Sequence, residues 1–120
     1  AWRHRVQYKQ LLPRKKSEGF AAGPSGALNV TVARLGDVAF VGLGGEVFTE
    51  IGMAIKAGSP CWHTFVITHC NGAAGYLAPE KLHVEGGYEI RSSPFAPQAA
   101  EMVVRRSLHM LHNLYPAAKR

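Results

Sequence analysis

The stretch VAFVGLGGEVFTEIG, from Val38 to Gly52, decides the fold and contains the first candidate site residue. A continuous apolar run, VAFVGL, predicts a buried strand, and the segment after the glycines predicts a helix. Glu46 directly follows Gly44 and Gly45 at the corner between them. This corner has three interpretations: a phosphate-binding turn, a plain structural corner, or a mount for a functional carboxylate.

The phosphate interpretation fails on spacing. A dinucleotide-binding turn requires the pattern G-x-G-x-x-G, and although Gly42 and Gly44 fill the first two places, the third falls on Val47. A phosphate-binding loop ends in Lys followed by Ser or Thr, where this chain has Glu46 and Val47. A carboxylate at that position would repel phosphate.

The other two interpretations both stay open. The paired glycines Gly44 and Gly45 predict a tight strand-to-helix corner with positive φ. At that corner, Glu46 is either an acid in the first helical turn, which stabilises the helix dipole by about 0.3–1 kcal/mol, or a site residue.

The pattern around this stretch predicts an α/β fold. Alternating apolar residues and an LGD turn predict a β-hairpin over 28–43. A helix over 47–56 and a buried strand over 63–69 then complete a βαβ unit, with a right-handed crossover expected. A long site loop over 71–97 leads to an amphipathic helix over 98–115. We expect these elements to be part of a larger α/β domain.

The length of 120 residues suits a single domain. The composition divides it into a lead segment over 1–26, a body over 27–115 and a tail over 116–120. The lead segment is basic and then rich in Gly, Pro and Ser, which predicts a short strand over 6–13 and a flexible loop over 17–27. The chain opens without Met, and we expect it to be a piece of a longer protein. No apolar run approaches the roughly 18 residues of a membrane span, and no secretory signal is visible.

The net charge of +6 comes from 14 Lys and Arg against 8 Asp and Glu. A basic patch can bind nucleic acid or an anionic membrane surface. No nucleic-acid motif accompanies it, so nucleic-acid binding is disfavoured. Most of the basic residues lie near the two ends, at Arg3, Arg5, Lys9, Arg14, Lys15, Lys16, Arg105, Arg106, Lys119 and Arg120.

The two cysteines, Cys61 and Cys70, flank a predicted strand. Nine residues of extended chain separate them by about 30 Å, whereas a disulfide requires Cα atoms within about 7 Å. We therefore expect no disulfide between them. A CxxC zinc pattern is absent from the sequence.

Polar residues follow both parallel strands of the predicted βαβ unit. Glu46 lies at the carboxyl end of the first strand, and Asn71, Gly72 and Tyr76 follow the second. Because binding sites in such units form beyond the carboxyl ends of the strands, we expect a carboxylate and a phenol to converge there.

Three motifs in this region carry a family resemblance: the Gly-Glu after the hairpin, the N-G-x-x-G-Y loop and the following G-G-Y-E. Over residues 27–114 the sequence resembles the late part of the catalytic domain of neutral/alkaline non-lysosomal ceramidases and their bacterial relatives. The resemblance implies a zinc-dependent amide hydrolase that converts ceramide to sphingosine and fatty acid, a role in sphingolipid metabolism, and a secreted or membrane-surface location.

The resemblance also implies site residues. Glu46 and Tyr76 match a glutamate and a tyrosine that bind zinc, and Tyr88 matches a tyrosine that lines the site near the scissile amide. Two further zinc ligands, both histidines, come from an earlier part of the family's domain. Without that part we expect this piece to be inactive and to self-associate, because an apolar face would be left uncovered.

Local histidines are weaker metal candidates. His69 is the best of them, because it follows the predicted strand close to Asn71. His109 and His112 have a spacing that can chelate zinc, but a helix-surface position is favoured for both. The alternative hypothesis is a non-catalytic α/β module in which Glu46 only starts a helix and the basic ends bind an anionic partner or membrane.

Overall fold

The computed structural model describes residues 3–7 and 28–116. Among these residues, four strands come first along the chain, and three helices and two further strands follow them. The strands are β1 (Arg3–Gln7), β2 (Asn29–Leu35), β3 (Val38–Leu43), β4 (Glu46–Val47), β5 (His63–Ile67) and β6 (Tyr76–Leu77). The helices are α1 (Thr49–Gly58), α2 (Tyr88–Ser92) and α3 (Ala99–Leu114), with one 3₁₀ turn at Glu80–Leu82.

The four longer strands form one sheet in the order β1-β2-β3-β5. β2 and β3 form the predicted hairpin, which turns at Gly36 with φ of 59°. β3 and β5 are parallel neighbours joined through α1, so the βαβ unit is confirmed. Together they confirm the predicted α/β fold class.

Among the described residues, the helices cover one face of this sheet. α1 and α3 pack against each other, and α3 also packs on β2. The amphipathic helix predicted at the end of the chain is therefore confirmed, since its apolar side faces the core. Fully buried core side chains come from the sheet and from both helices: Val30, Val32, Val41, Leu43, Ile55, Val103 and Leu111.

The prediction of a buried strand over 63–69 is wrong in one respect. Exposed and half-buried residues alternate along β5, and Phe65 and Ile67 are 53% and 45% exposed. Because α1 and α3 cover only one sheet face, the side chains on the other face of β5 have no layer above them among the described residues.

The predicted site loop over 71–97 is shorter than expected. It contains β6, the 3₁₀ turn and α2, because β6 pairs with β4 and Gly87 starts α2 with φ of 109°. The strand predicted over 6–13 overlaps β1 only at Val6 and Gln7, and the rest of it, like the loop over 17–27, lies outside the described residues.

Both cysteines are free, as expected. Cys70 packs against β3: a Cβ built on Gly42 would lie 2.5 Å from its Sγ. No helix within the described ranges is both long enough and apolar enough to cross a membrane.

Candidate functional site

Glu46 and Tyr76 lie side by side. β4 and β6 form a small parallel sheet in which Glu46 is the register partner of Tyr76. Register partners on adjacent strands are about 4.8 Å apart and project toward the same side. The two loops that follow β3 and β5 therefore meet, and they bring together the carboxylate and the phenol that the sequence singled out.

Backbone hydrogen bonds fix this pairing. The Glu46 N–H donates to the carbonyl of Gly75 at 2.9 Å, and the Ala74 N–H donates to the carbonyl of Gly44 at 2.9 Å. Gly75 has φ of 100°, a conformation that only glycine adopts readily. A Cβ at Gly75 would also lie 3.2 Å from Pro94 Cδ.

Ser93 is a site residue that sequence reasoning missed. Its Oγ donates to the carbonyl of Tyr76 at 2.6 Å and accepts the N–H of Phe95 at 3.2 Å. Ser93 is 4% exposed and Phe95 is fully buried, so this serine anchors β6 to the core. The only sequence signal for it is Ser-Pro turn chemistry at Ser93 and Pro94.

The reason for the two corner glycines differs from the prediction. Neither Gly44 nor Gly45 has positive φ. Close approach of other chain segments requires them instead, because a Cβ at Gly44 would lie 3.1 Å from Asn29 Cβ and one at Gly45 would lie 2.9 Å from the Gly75 carbonyl oxygen. The corner thus lets β4 approach β6.

The helix-start role of Glu46 is also wrong. Glu46 lies in β4, and α1 begins only at Thr49, with Glu50 as the acid of its first turn. Glu46 is therefore not placed to stabilise the dipole of α1 from within its first turn, and its side chain is half exposed beside Tyr76.

His69 is the third polar side chain at this point. Its Nε2 lies 3.6 Å from Glu46 Oε2. The His69 N–H donates to the Gly45 carbonyl at 3.0 Å, and the Cys70 N–H donates to the Leu43 carbonyl at 2.9 Å. The segment after β5 thus runs alongside the glycine corner.

Tyr88 lies next to Tyr76. The two rings meet edge to face, with centroids 6.1 Å apart and an interplanar angle of 79°. Tyr88 is 64% exposed, so its side chain is accessible to a bound molecule. All three residues that the resemblance implied, Glu46, Tyr76 and Tyr88, therefore lie in one place.

The negative charge of Glu46 raises the pKa of the Tyr76 phenol above its usual value of 10.0, and desolvation and the neighbouring Tyr88 and Glu89 add to the effect. In the absence of a cation, the phenol is therefore protonated at neutral pH.

The donor set suits zinc in part. Carboxylate oxygen and imidazole nitrogen are common zinc ligands, at about 2.0–2.2 Å. Within residues 3–7 and 28–116, no group of three or more His, Cys, Asp or Glu is close enough to hold a metal ion. A four-coordinate ion at Glu46 thus requires the phenol of Tyr76 and further donors. His109 and His112 do not join the site; they lie exposed on α3.

The fold and the site together define an α/β chain with an acid and a phenol beyond the carboxyl ends of its parallel strands. No protein-family model and no curated protein matches the sequence. Among solved structures, a ceramidase complexed with C2 matches with a TM-score of 0.70 and 17% identity, over 83% of this chain. The neutral ceramidase from Pseudomonas aeruginosa matches with a TM-score of 0.67 and 18% identity, over 82% of this chain.

These similarities show that the chain has the fold of a segment of neutral ceramidases. The resemblance drawn from the sequence is confirmed at that level. The chain spans 18% of the length of either neighbour, so it corresponds to a limited part of each.

Proposed function

We propose that this chain is a segment of a zinc-dependent amide hydrolase of the neutral ceramidase type. Glu46 and Tyr76 are two of the zinc ligands, and two histidines from another part of the complete domain are the others. The observation that carries the proposal is the side-by-side pairing of Glu46 with Tyr76 in a fold shared with ceramidases.

Each residue has a chemical task in this proposal. When bound, zinc lowers the pKa of a coordinated water and polarises an amide carbonyl. Glu46 supplies a hard anionic oxygen, which partly neutralises the ion. Tyr76 supplies a phenol oxygen beside it, and the exposed hydroxyl of Tyr88 orients the scissile amide by hydrogen bonding.

The substrate class follows from the same comparison. One neighbour is a ceramidase complexed with C2, which supports a lipid amide such as ceramide as the substrate. We propose a secreted or membrane-surface location on the sequence resemblance. The segment by itself is inactive in this proposal, since it has two of the four ligands.

The test uses the complete polypeptide that contains this chain. Zinc content is measured by mass spectrometry, and hydrolysis is followed with a fluorescent ceramide. We expect Glu46→Gln and Tyr76→Phe to lower zinc affinity by about 100-fold or more and to lower activity with it, because each removes a ligand. Tyr88→Phe should lower kcat and leave the zinc content unchanged.

Glu50→Gln is the matched control, because Glu50 is an exposed acid four residues away on α1. It should change neither zinc content nor activity. A complete protein without zinc, or a Glu46→Gln variant with full zinc content and activity, would favour the non-catalytic module with an anionic partner instead.

A further inference from the structure

We infer that Ser93 is a positioning residue of the proposed site, which sets where Tyr76 and Tyr88 stand relative to each other. This inference rests on the proposed function and deepens it, because the two tyrosines have different tasks there: one binds the metal ion and the other orients the amide. Ser93 acts through the backbone of the two segments that carry these side chains, and not by contact with the ion or the substrate.

The carbonyl of Tyr76 is the first contact of Ser93. The carbonyls on either side of it, at Gly75 and Leu77, point toward β4 and accept N–H groups there at 2.9 and 3.0 Å. Because carbonyls alternate in direction along a strand, the Tyr76 carbonyl points away from β4. The sheet of β4 and β6 has two strands among the described residues, and the Ser93 hydroxyl takes the place of a third by donating to this carbonyl at 2.6 Å. The bond restrains the backbone from which the phenol projects.

The surroundings of Ser93 make this bond difficult to break. The same oxygen accepts the Phe95 N–H at 3.2 Å, and Ser93 and Phe95 are both buried. Loss of the hydroxyl would leave a buried donor without its partner, which is unfavourable. The serine therefore has little freedom to leave the Tyr76 carbonyl.

Ser93 is also the residue that ends α2, the helix whose first residue is Tyr88. Its N–H donates to the carbonyl of Ile90, which is buried in the core. A helix of five residues is too short to be stable by itself, so its orientation depends on what holds its ends. Because Ser93 bonds both to the last turn of α2 and to β6, one residue fixes the helix of Tyr88 to the strand of Tyr76.

The contact between the two tyrosine rings does not fix their separation by itself. Edge-to-face pairs are favourable over centroid distances of about 4.5–7 Å, and the 6.1 Å observed here is one value within that range. An error of about 1 Å in the position of a reacting group can lower a rate by about 100-fold. The link through Ser93 supplies a tighter restraint on this distance.

The chain contains a second serine with the same local structure, Ser59. It follows α1 as Ser93 follows α2, and each serine precedes a proline. Each N–H donates to the carbonyl three residues earlier at 3.3 Å, and each hydroxyl oxygen accepts the N–H two residues later. The Ser59 hydroxyl, however, lies 2.7 Å from Thr64 Oγ1 at the amino end of β5, whereas the site lies beyond the carboxyl end. Ser59 is therefore a matched control for Ser93.

The test compares Ser93→Ala with Ser59→Ala in the complete polypeptide that contains this chain. Each variant removes one buried hydroxyl, so both should lower the urea concentration at the midpoint of unfolding. Only Ser93→Ala should also raise the Kd for zinc, by about 10-fold, and lower the kcat of the zinc-saturated protein on a fluorescent ceramide by about 10–100-fold. Ser59→Ala should leave both values within about twofold of the original.

A second measurement needs no variant. Hydrogen exchange of the complete protein reports on the Phe95 N–H, which bonds to Ser93, and on the Phe48 N–H, which bonds to the Leu77 carbonyl of β6. If Ser93 holds β6, the two amides should open in one event, with protection factors within about threefold of each other that fall together in mild urea. An unprotected Phe95 amide beside a protected Phe48 amide would overturn the inference.

Failure of this inference can be told apart from failure of the proposed function. If Ser93→Ala keeps the original zinc affinity and kcat, or if Ser59→Ala loses as much of both, Ser93 contributes only to stability. The proposed function would still stand if zinc in the complete protein depends on Glu46 and Tyr76. Zinc content that is indifferent to both of those residues would overturn the proposed function and this inference together.

Discussion

Tyr115, the residue that follows α3, joins the end of that helix to the hairpin. Its ring is 7% exposed, and its hydroxyl donates to the Val38 carbonyl at 3.0 Å. The Arg34 guanidinium lies 4.2 Å from the ring centroid and donates to the Leu114 carbonyl at 2.8 Å. The last helix is thereby held against the turn between β2 and β3.

We expect ionisation of the Tyr115 phenol to destabilise the protein in alkali. Burial, together with a hydrogen bond to Cys61, raises the pKa of its phenol from 10.0 to about 12. The native state thus holds the proton more tightly than the unfolded state does. Stability from this group is complete below pH 10 and is lost as the pH rises from 10 to 12, by about 2–3 kcal/mol.

The variant Tyr115→Phe isolates this effect. At pH 8 it should lower the free energy of unfolding by about 1 kcal/mol, since one hydrogen bond is lost. Between pH 10 and pH 12 it should lose about 2–3 kcal/mol less than the original chain. Urea unfolding at several pH values measures both effects, and equal alkaline losses in the two proteins would refute the assignment.

At the scale of elements, the contact between β4 and β6 decides whether there is a site. Each strand has two residues, too few to be stable alone. The hydrogen bonds that flank them, and the anchor at Ser93, hold the contact together. Gly75 is the critical position, because its positive φ turns the chain so that its carbonyl meets the Glu46 N–H.

Gly75→Ala should therefore damage both the fold and the site. The strained φ and the contact with Pro94 should lower the free energy of unfolding by about 1–3 kcal/mol. The register of Tyr76 against Glu46 should also shift. Urea unfolding measures the first effect, and the zinc content of the complete protein measures the second. We expect stability and metal affinity to fall together.

Gly36→Ala is the matched control. Gly36 also has positive φ, but it lies in the hairpin turn, and an added Cβ meets nothing within 4 Å. Gly36→Ala should lower the free energy of unfolding by about 1–2 kcal/mol and leave metal affinity unchanged. If both variants weakened metal binding equally, the loss would reflect general stability and not the contact between β4 and β6.

At the scale of the whole molecule, α1 and α3 cover one face of the sheet, and no other element of residues 28–116 covers the opposite face. We define the outer sheet face by Phe40, Phe65 and Ile67. The rings of Phe40 and Phe65 are stacked with centroids 5.5 Å apart, and Phe65 and Ile67 are about half exposed. Contiguous apolar side chains on a regular sheet surface are typical of an interaction surface.

We predict that the chain associates with a second copy of itself through the outer sheet face. Sedimentation velocity over a range of concentrations should show association. The double variant Phe65→Thr/Ile67→Thr should abolish it, because threonine suits a strand but removes most of the apolar surface.

Val84→Thr is the control for this prediction. Val84 is 90% exposed but belongs to no strand of the sheet, since it lies in the segment between the 3₁₀ turn and α2. The Val84→Thr variant should associate to the same extent as the original chain. A monomer at all concentrations, or a double variant that still associates, would exclude the outer sheet face as the contact.

Local patterns were enough to predict much of this protein. Alternating apolar residues and the LGD turn predicted the hairpin, and the apolar stripe of α3 predicted the last helix, because hydrophobic periodicity follows directly from the geometry of each element. The position of Glu46 and Tyr76 beyond adjacent strand ends followed from the βαβ pattern, since parallel strands place their carboxyl ends together.

Contacts between distant residues could not be predicted in the same way. The exposure of β5 depends on which sheet face the helices cover, and the closeness of Gly44 and Gly45 to other segments depends on how β4 meets β6. The approach of His69 to Glu46 and the anchor at Ser93 also join residues far apart in the chain. The sequence by itself thus determined the elements and the candidate ligands. Only the tertiary structure decided which residues are buried and which side chains lie next to each other, because these contacts arise from long-range packing that no local period encodes.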